Sequence, residues 1–232
     1  MNTSPSTTQN KATLPPVVTA DESQARLQEL AQREEALTAA RLDLTAARRR
    51  MPMTRVDKDY RFIGPDGEVG LTDLFAGRRQ LVLYRFFYQP DVDNWPEGAC
   101  EGCSMFADSV THPAHLAARD VSLAFVSPAP QERIDAYRER MGWVVPWYTL
   151  VGEDFSHDFD VDEWFGINVF LRDGDDVYRT YFLNGPAVEA VGPSWSFLEL
   201  TPFGRQKTTE DSSSGWPQDE PYAWYRLHDE YD

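Results

Sequence analysis

The sequence predicts an α/β fold in which a central mixed sheet is flanked by helices. The predicted strands and helices follow one another in the order β-α-β-α-β-β, which is typical of a helix-covered sheet that ends in an antiparallel hairpin. Hydrophobic residues make up 41% of the 232-residue chain and aromatic residues 13%, enough to cover both faces of such a sheet. A long helix before the sheet and an acidic extension after it complete the predicted architecture.

The N-terminal part of the chain predicts a disordered start followed by a long helix. Residues 1–18 are rich in Ser, Thr, Asn and Pro and are expected to be disordered. Thr19 and Glu22 have the spacing of a capping box, and no Gly or Pro follows until residue 52. Leucines recur every seven residues, but the second stripe of a coiled coil is not apolar. Residues 19–52 are therefore predicted to form a helix that lies along the body or forms a homodimer.

The body of the protein, residues 53–205, contains the predicted strands. Four apolar or alternating runs predict them, at residues 81–88, 121–127, 165–172 and 177–182. The first two runs are apolar on both faces, as in the buried centre of a sheet. The last two flank the turn Asp-Gly-Asp-Asp, so they predict a hairpin. A shorter strand is predicted at residues 147–151.

Two helices are predicted between the strands of the body. One runs from about residue 103 to residue 119 and is disturbed at Pro113, and the other covers residues 130–141. Beyond the body, residues 206–232 are polar and acidic but contain several aromatic residues. Aromatic side chains in such a segment favour docking on the body over disorder.

The charge and composition of the chain limit its partners. Asp and Glu number 38 against 22 Lys and Arg, a net charge of −16, whereas nucleic-acid binding depends on clustered basic side chains. No apolar run approaches the roughly 20 residues that span a bilayer, and the N-terminus lacks the pattern of a secretory signal. We therefore expect a cytoplasmic protein that binds neither nucleic acid nor membrane. Neither a G-x-G-x-x-G nor a P-loop motif occurs, so no organic cofactor is expected.

Both cysteines of the chain lie in one motif, Cys100-Glu101-Gly102-Cys103, between a buried strand and a helix. The N-terminus of a helix stabilises a thiolate, which favours Cys100 as a nucleophile at neutral pH. Cys103 is then placed to resolve the mixed disulfide that the nucleophile forms with a partner. The motif predicts a redox dithiol whose partner is a thiol or disulfide substrate or a reductant protein.

Charged residues near the motif are expected to affect the thiolate. Four acidic residues should oppose its formation: Asp91, Asp93, Glu97 and Glu101. Arg85, within the predicted central strand, needs a carboxylate or carbonyl partner because its guanidinium is buried. It is expected to form a structural ion pair or to support the Cys100 thiolate from the end of the strand.

Two interpretations other than redox chemistry stay open. A zinc or copper site needs further ligands, but no second C-x-x-C occurs, and His112 and His115 lie well beyond the motif on the same predicted helix. No metal is therefore expected, and a metal-binding or metal-delivery protein that uses the two thiolates is the third reading. The main rival is a non-catalytic binding module that keeps the fold and uses the N-terminal helix and the aromatic tail as interaction surfaces. His157, flanked by acidic residues, is interpreted as a surface loop residue.

Several segments of the chain resemble a known bacterial family. They are residues 58–62, 64–67, 74–75, 100–104, 141–143, 170–174, 198–205 and 228–231. Over residues 49–231 the sequence resembles the thioredoxin-like domain-of-unknown-function family 899, whose members are described as predicted dithiol–disulfide oxidoreductases. The resemblance implies a thioredoxin-like fold for the body, with Cys100 and Cys103 as the redox pair.

The chain also resembles the peroxiredoxin-like branch of thioredoxin folds, in Asp66-Gly67 and in the segment 71–77 before the central strand. Two departures affect the expected substrate. Glu97 stands three residues before Cys100, where peroxiredoxins have a Thr, and Asn168 stands where thioredoxins have a cis-proline before the later strand. Asn168 joins Arg85 as a candidate supporting residue. We expect exchange with small or specific partners, neutral or cationic, and poor consumption of hydrogen peroxide.

Overall fold

The computed structural model describes residues 14–92, 94–161, 165–201, 203–211 and 214–231. These residues form two compact units: residues 46–194 with 225–231, and residues 14–45 with 195–224, apart from the gaps just given. Disorder was predicted for residues 1–18, and residues 1–13 of this range lie outside the described residues. Residues 14–18 are exposed and have no regular secondary structure.

The long N-terminal helix, α1, spans Ala20–Arg49. The predicted capping box is confirmed, because the Glu22 N–H donates to Thr19 Oγ1 at 3.3 Å and the Thr19 N–H donates to Glu22 Oε2 at 2.9 Å. No residue of the helix is buried, and its leucines are between 49% and 65% exposed. The pairing of this helix with a second copy of the chain therefore stays a prediction.

Eight strands of the described residues form one sheet. They are β1 Thr54–Arg55, β2 Arg61–Gly64, β3 Gly67–Gly70, β4 Gln80–Arg85, β5 Val121–Ser127, β6 Trp147–Leu150, β7 Gly166–Asp173 and β8 Asp176–Asn184. Their order across the sheet is β1-β8-β7-β4-β5-β6-β2-β3, so β4 is internal, as predicted. β4, β5 and β6 are parallel neighbours, and the other neighbouring pairs are antiparallel.

Shorter helices follow α1 along the chain. They are α2 Glu101–Asp108, α3 Pro113–Ala117, α4 Gln131–Arg140, α5 Asp154–Asp158, α6 Pro186–Glu189 and α7 Pro193–Glu199. The segment between β4 and β5 contains α2 and α3, and the segment between β5 and β6 contains α4.

The centre of the sheet has the connectivity of a thioredoxin-like fold. β4 and β5 are parallel neighbours joined by a helical crossover. β7 and β8 form an antiparallel hairpin that pairs with the other edge of β4. This arrangement confirms the predicted mixed sheet with its terminal hairpin. β6, β2 and β3 extend the sheet beyond β5, and β1 extends it beyond β8.

The central strand is shorter than predicted. β4 ends at Arg85, whereas the apolar run predicted a strand to residue 88. Phe86 and Tyr88 leave the strand yet remain buried, with 0% and 1% of their surface exposed. The apolar run indicates which residues are buried, and burial continues past Arg85, where the strand ends.

The helix predicted over residues 103–119 is two separate helices. α2 begins two residues earlier, at Glu101, and ends at Asp108, before α3 begins at Pro113. Proline suits the first turn of a helix, since its missing N–H would have no partner there, but it cannot continue a helix from the preceding turn. The break thus lies upstream of Pro113.

The two faces of the sheet pack differently near its centre. Leu81 and Leu83 of β4 belong to a large apolar core on one face. Side chains alternate along a strand, so Tyr84 points to the other face. There its ring lies 4.4 Å from Phe106 of α2 and 5.6 Å from Phe125 of β5. The face that receives α2 is therefore lined by aromatic rings.

Candidate functional site

Cys100 is the N-cap residue of α2. Its backbone angles, φ −47° and ψ 118°, are not helical, so the chain enters the helix directly after it. Its sulfur accepts a hydrogen bond from the Cys103 N–H at 3.4 Å. Its carbonyl accepts from the Ser104 N–H at 3.0 Å and from Ser104 Oγ at 2.9 Å, and its own N–H donates to the Phe87 carbonyl at 3.3 Å. These bonds hold the cysteine between the end of β4 and the start of the helix.

The Cys100 thiol is more acidic than an ordinary cysteine. The main cause is a hydrogen bond from the Cys103 thiol, and the backbone N–H groups of Cys103 and Gly102 also lower the Cys100 pKa. Burial and the Glu101 carboxylate act in the opposite direction without cancelling the shift. The predicted opposition by an acidic neighbour occurs at Glu101, but the hydrogen bonds to the sulfur outweigh it. Asp91 and Glu97 are exposed, and Asp93 lies outside the described residues.

The Cys103 thiol has the opposite character. It lies inside the protein with 1% of its surface exposed, and this burial is the main reason that its pKa is raised well above the ordinary value. The neighbouring Cys100 raises the pKa further, while hydrogen bonds from the Tyr84 hydroxyl and the Phe87 N–H act against the shift. Both cysteines are free thiols in this structure. The pair therefore combines an acidic thiol with a neutral buried one.

Tyr84 is a site residue that the sequence analysis missed. Its side chain is fully buried, and burial raises its pKa well above the ordinary value, so its hydroxyl keeps its proton. It can therefore donate a hydrogen bond to the Cys103 sulfur but cannot serve as a base. The sequence offered one signal: alternation places Tyr84 on the sheet face opposite to Leu83, towards the helix that carries the cysteines.

Residues 225–231, called the C-terminal segment below, pack against the loop and helix that carry the cysteines. Tyr225 and Leu227 are buried. A Cβ atom built on Gly102 would lie 3.3 Å from the Tyr225 ring and 4.0 Å from the Cys100 sulfur, so ring and sulfur both flank this glycine. The predicted docking of the aromatic tail is confirmed for these residues.

Arg140 of α4 joins the C-terminal segment to the loop before Cys100. Its guanidinium binds both carboxylate oxygens of Asp229, at 2.7 and 2.8 Å, in the bidentate geometry that is strongest for such pairs. It also donates to Glu230 at 3.3 Å and to the carbonyl of Glu97 at 3.0 Å. Arg140 lowers the pKa of the Asp229 carboxyl, which stays ionised.

The two candidate supporting residues lie on the sheet face away from Tyr84. Register pairs Asn168 with Leu83 inside β7, so it lies within the strand, as the predicted run 165–172 required. Its amide nitrogen donates to the Phe159 carbonyl at 3.2 Å, and its support of the dithiol stays a prediction. Arg85 has the predicted carbonyl partner, Phe86, at 3.3 Å.

Arg85 also donates to the Gln89 side chain at 2.7 Å, and its guanidinium carbon lies 5.0 Å from the centre of the Phe87 ring. Alternation places it on the same sheet face as Leu83, opposite to Tyr84. Its contacts therefore fix the loop that leaves β4, and support of the Cys100 thiolate stays a prediction.

The histidines do not join the cysteines. His112 is the N-cap residue of α3, and its Nδ1 accepts a hydrogen bond from the Ala114 N–H at 3.2 Å. The rings of His112 and His115 meet edge to face, with centres 6.2 Å apart. His157 is exposed but lies in α5, which corrects its interpretation as a loop residue. Within the described ranges, no group of three or more His, Cys, Asp or Glu side chains is placed to hold a metal ion.

A comparison with models of known protein families identifies the family of this chain. The family model described as "Bacterial protein of unknown function (DUF899)" matches residues 12–231. The comparison with curated proteins finds no match. Among the helices that the structure describes, none combines the length and the apolar character needed to cross a bilayer.

Solved structures of low sequence identity are also similar to this chain. One is a secreted Mycobacterium tuberculosis disulfide oxidoreductase homologous to E. coli DsbE, with 15% identity, coverage of 54% of this chain and 83% of that chain, and a TM-score of 0.38. Another is the exposed lipoprotein thioredoxin Etrx1 of Streptococcus pneumoniae, with 11% identity, coverage of 58% and 98%, and a TM-score of 0.38. The apo Sco1 protein of Thermus thermophilus has 17% identity, coverage of 60% and 87%, and a TM-score of 0.36.

Proposed function

The chain belongs to the bacterial DUF899 family, and we propose that it is a dithiol–disulfide oxidoreductase that acts through Cys100 and Cys103. The observation that carries this proposal is the placement of two free thiols one helical turn apart: Cys100 caps α2, is partly exposed and accepts the Cys103 N–H on its sulfur at 3.4 Å, whereas Cys103 is 1% exposed. The pKa of Cys100 is lowered and that of Cys103 raised, in agreement with this placement. A thiolate at the helix cap is the nucleophile that disulfide exchange requires, and a neutral buried thiol beside it suits the resolving step.

In the reducing direction, the Cys100 thiolate attacks one sulfur of a disulfide substrate. A bond forms between Cys100 and that sulfur, the substrate disulfide breaks, and the other substrate sulfur leaves as a thiolate. Cys103 then gives its proton to the released thiolate and attacks the Cys100 sulfur. The second substrate thiolate leaves, so the substrate gains two electrons while Cys100 and Cys103 become a disulfide.

Regeneration reverses these steps with a thiol reductant. An incoming thiolate attacks Cys100, and Cys103 leaves as a buried thiolate before it takes a proton. A second thiolate of the reductant then attacks the reductant sulfur of this mixed disulfide, so the reductant becomes a disulfide and Cys100 leaves as a thiolate. The Tyr84 hydroxyl supports the departure of Cys103 because it donates a hydrogen bond to the Cys103 sulfur, where negative charge develops. The reaction needs the two sulfur atoms and a thiol partner, either a reductant protein or a small thiol.

The experiment that tests the proposal compares oxidised and reduced protein after alkylation under denaturing conditions. We expect intact mass spectrometry to find two alkyl groups on reduced protein and none on protein treated with a mild disulfide oxidant. Return of both alkylation sites after a thiol reductant would show that the disulfide is reversible. Two freely alkylated thiols in the oxidised sample would contradict the proposal.

A further inference from the structure

We propose that the C-terminal segment sets the substrate class of the dithiol: it leaves Cys100 open to small disulfides and excludes disulfides within polypeptides. The proposal rests on the proposed function, because it concerns what reaches the same sulfur. The structural basis is a cover over one side of the cysteine motif, held by a buried anchor and by polar contacts at both ends of α2.

The cover lies close to the nucleophilic sulfur. Tyr225 packs its ring on Gly102, and the Cβ that any other residue would carry there lies 3.3 Å from the ring and 4.0 Å from the Cys100 sulfur. Glycine at this position thus lets an aromatic ring from the far end of the sequence approach the motif. Cys100 nevertheless remains partly exposed.

A buried anchor holds the middle of the segment. Leu227 is completely buried, and a Cβ built on Gly98 would lie 3.0 Å from its Cδ1 atom. Gly98 belongs to the loop that leads into Cys100. Burial of the Leu227 side chain stabilises the docked position of the C-terminal segment on this loop through non-covalent contact.

Polar contacts hold the segment at both ends of α2. On the side of the loop, Arg140 binds Asp229 and Glu230 together with the carbonyl of Glu97. At the other end, His228 Nδ1 lies 2.8 Å from Asp108 Oδ1. The same oxygen accepts from Trp143 Nε1 at 2.7 Å.

This cover distinguishes substrates by size. Thiolate attack requires that one sulfur of the substrate approach the Cys100 sulfur directly. A small disulfide can make this approach through the exposed side of Cys100. A disulfide within a polypeptide brings main chain on both sides of the sulfur, and that chain would have to occupy the space of Tyr225. Displacing the segment means breaking the contacts of Arg140 and exposing Leu227.

An acidic side chain next to the nucleophile adds a preference for charge. Glu101 is close enough to Cys100 to raise its pKa. A cationic small disulfide such as cystamine is therefore favoured over an anionic one of similar size.

The test first measures access to Cys100 without relying on turnover. A Cys103→Ser protein is treated with N-ethylmaleimide or with a maleimide on a long polyethylene glycol chain, in the native state and in denaturant. We expect the ratio of small to large reagent rates to be about a hundredfold higher in the native than in the denatured protein. Similar ratios in the two states would overturn the proposal.

Two variants locate the cause of this selectivity. In the same background, Tyr225→Ala and Arg140→Gln should each lower the native ratio by about tenfold, since each weakens the docked state. Arg138→Gln on the same helix and Tyr222→Ala outside the segment are the matched controls. Thermal unfolding identifies any variant that fails to fold, and an unchanged ratio in both folded variants would overturn the proposal.

Turnover then separates this proposal from the proposed function. Protein with both cysteines, reduced beforehand and freed of reductant, should reduce one equivalent of cystamine as its own dithiol becomes a disulfide, and should leave insulin disulfides intact. Tyr225→Ala, reduced in the same way, should gain insulin reduction with little change towards cystamine. Insulin reduction by the unaltered protein at a rate similar to that of Tyr225→Ala would overturn the substrate class alone. If neither protein reduced cystamine or insulin while access of maleimides to Cys100 stayed size-selective, the proposed function alone would be overturned.

Discussion

Cys100 and Cys103 are separated by one helical turn, but they differ in exposure and in the direction in which their pKa is shifted. Cys100 lies at the cap of α2, partly exposed, with backbone N–H groups directed at its sulfur. Cys103 lies inside the protein beside Tyr84, and burial dominates its pKa. The comparison shows that position at the helix start and depth below the surface divide the roles of two identical side chains.

The comparison also shows that hydrogen bonds to the sulfur outweigh a neighbouring acidic residue. Glu101 raises the pKa of the adjacent Cys100, yet the Cys100 pKa is lowered overall. The hydrogen bonds act at contact distance, whereas the half-buried Glu101 side chain acts only through its charge. The direction of the shift is therefore set by the atoms that touch the sulfur.

The largest expected effect comes from removing either sulfur. Cys100→Ser should lower disulfide exchange by about a thousandfold or more, because the nucleophile is lost. Cys103→Ser should instead retain the first attack and accumulate a mixed disulfide at Cys100. Non-reducing mass spectrometry after incubation with a small disulfide measures both. Equal trapping by the two variants would show that the assigned roles are wrong.

A smaller effect is expected at Tyr84. Tyr84→Phe keeps the ring in its aromatic cluster but removes the hydroxyl that lowers the Cys103 pKa. The Cys103 pKa should therefore rise further, and the resolving step should slow by about tenfold. Stopped-flow measurement of mixed-disulfide decay against pH should show the profile displaced to higher pH.

Tyr88→Phe is the matched control for that variant. The Tyr88 hydroxyl donates to the Pro96 carbonyl at 2.8 Å, in the loop before the cysteines. The Tyr88→Phe variant should therefore show the same pH profile of the resolving step as the unaltered protein. Equal profiles for Tyr84→Phe and the unaltered protein would contradict the role given to the Tyr84 hydroxyl.

The smallest effect is expected at Glu101. Its charge raises the Cys100 pKa, so Glu101→Gln should lower that pKa and increase the thiolate fraction below it. Iodoacetamide should then modify Cys100 about two to three times faster near pH 6.5, with no difference at high pH where both proteins are fully ionised. Glu132→Gln, on the exposed first turn of α4, is the control. A slower reaction of the Glu101 variant would contradict the sign.

The sequence predicted the elements whose signal is local. The capping box at Thr19 and the hairpin around Gly174 depend on neighbouring residues, and both occur as predicted. The place of the cysteine motif, after a strand and at the start of a helix, was likewise predicted from the residues on either side of it. Regular patterns of this kind determine the fold of the body.

The parts that escaped prediction depend on contacts between distant residues. Asn168 was assigned through the resemblance to thioredoxins, but the register of β7 pairs it with Leu83 on the sheet face away from Tyr84. Tyr84 gained its role because α2 packs on it. The contact of Tyr225 with Gly102 joins positions more than 100 residues apart, and no spacing rule indicates it.

The most direct test of the central claim is the pH dependence of alkylation at each cysteine of the reduced protein. Proteolysis after Glu101 separates the two cysteines, so mass spectrometry reports each rate independently. We expect Cys100 to react with a midpoint below about 8.5, the value for an ordinary thiol, and Cys103 to stay unreactive until far higher pH. Equal midpoints, or faster reaction of Cys103, would contradict the division of roles between the two sulfurs.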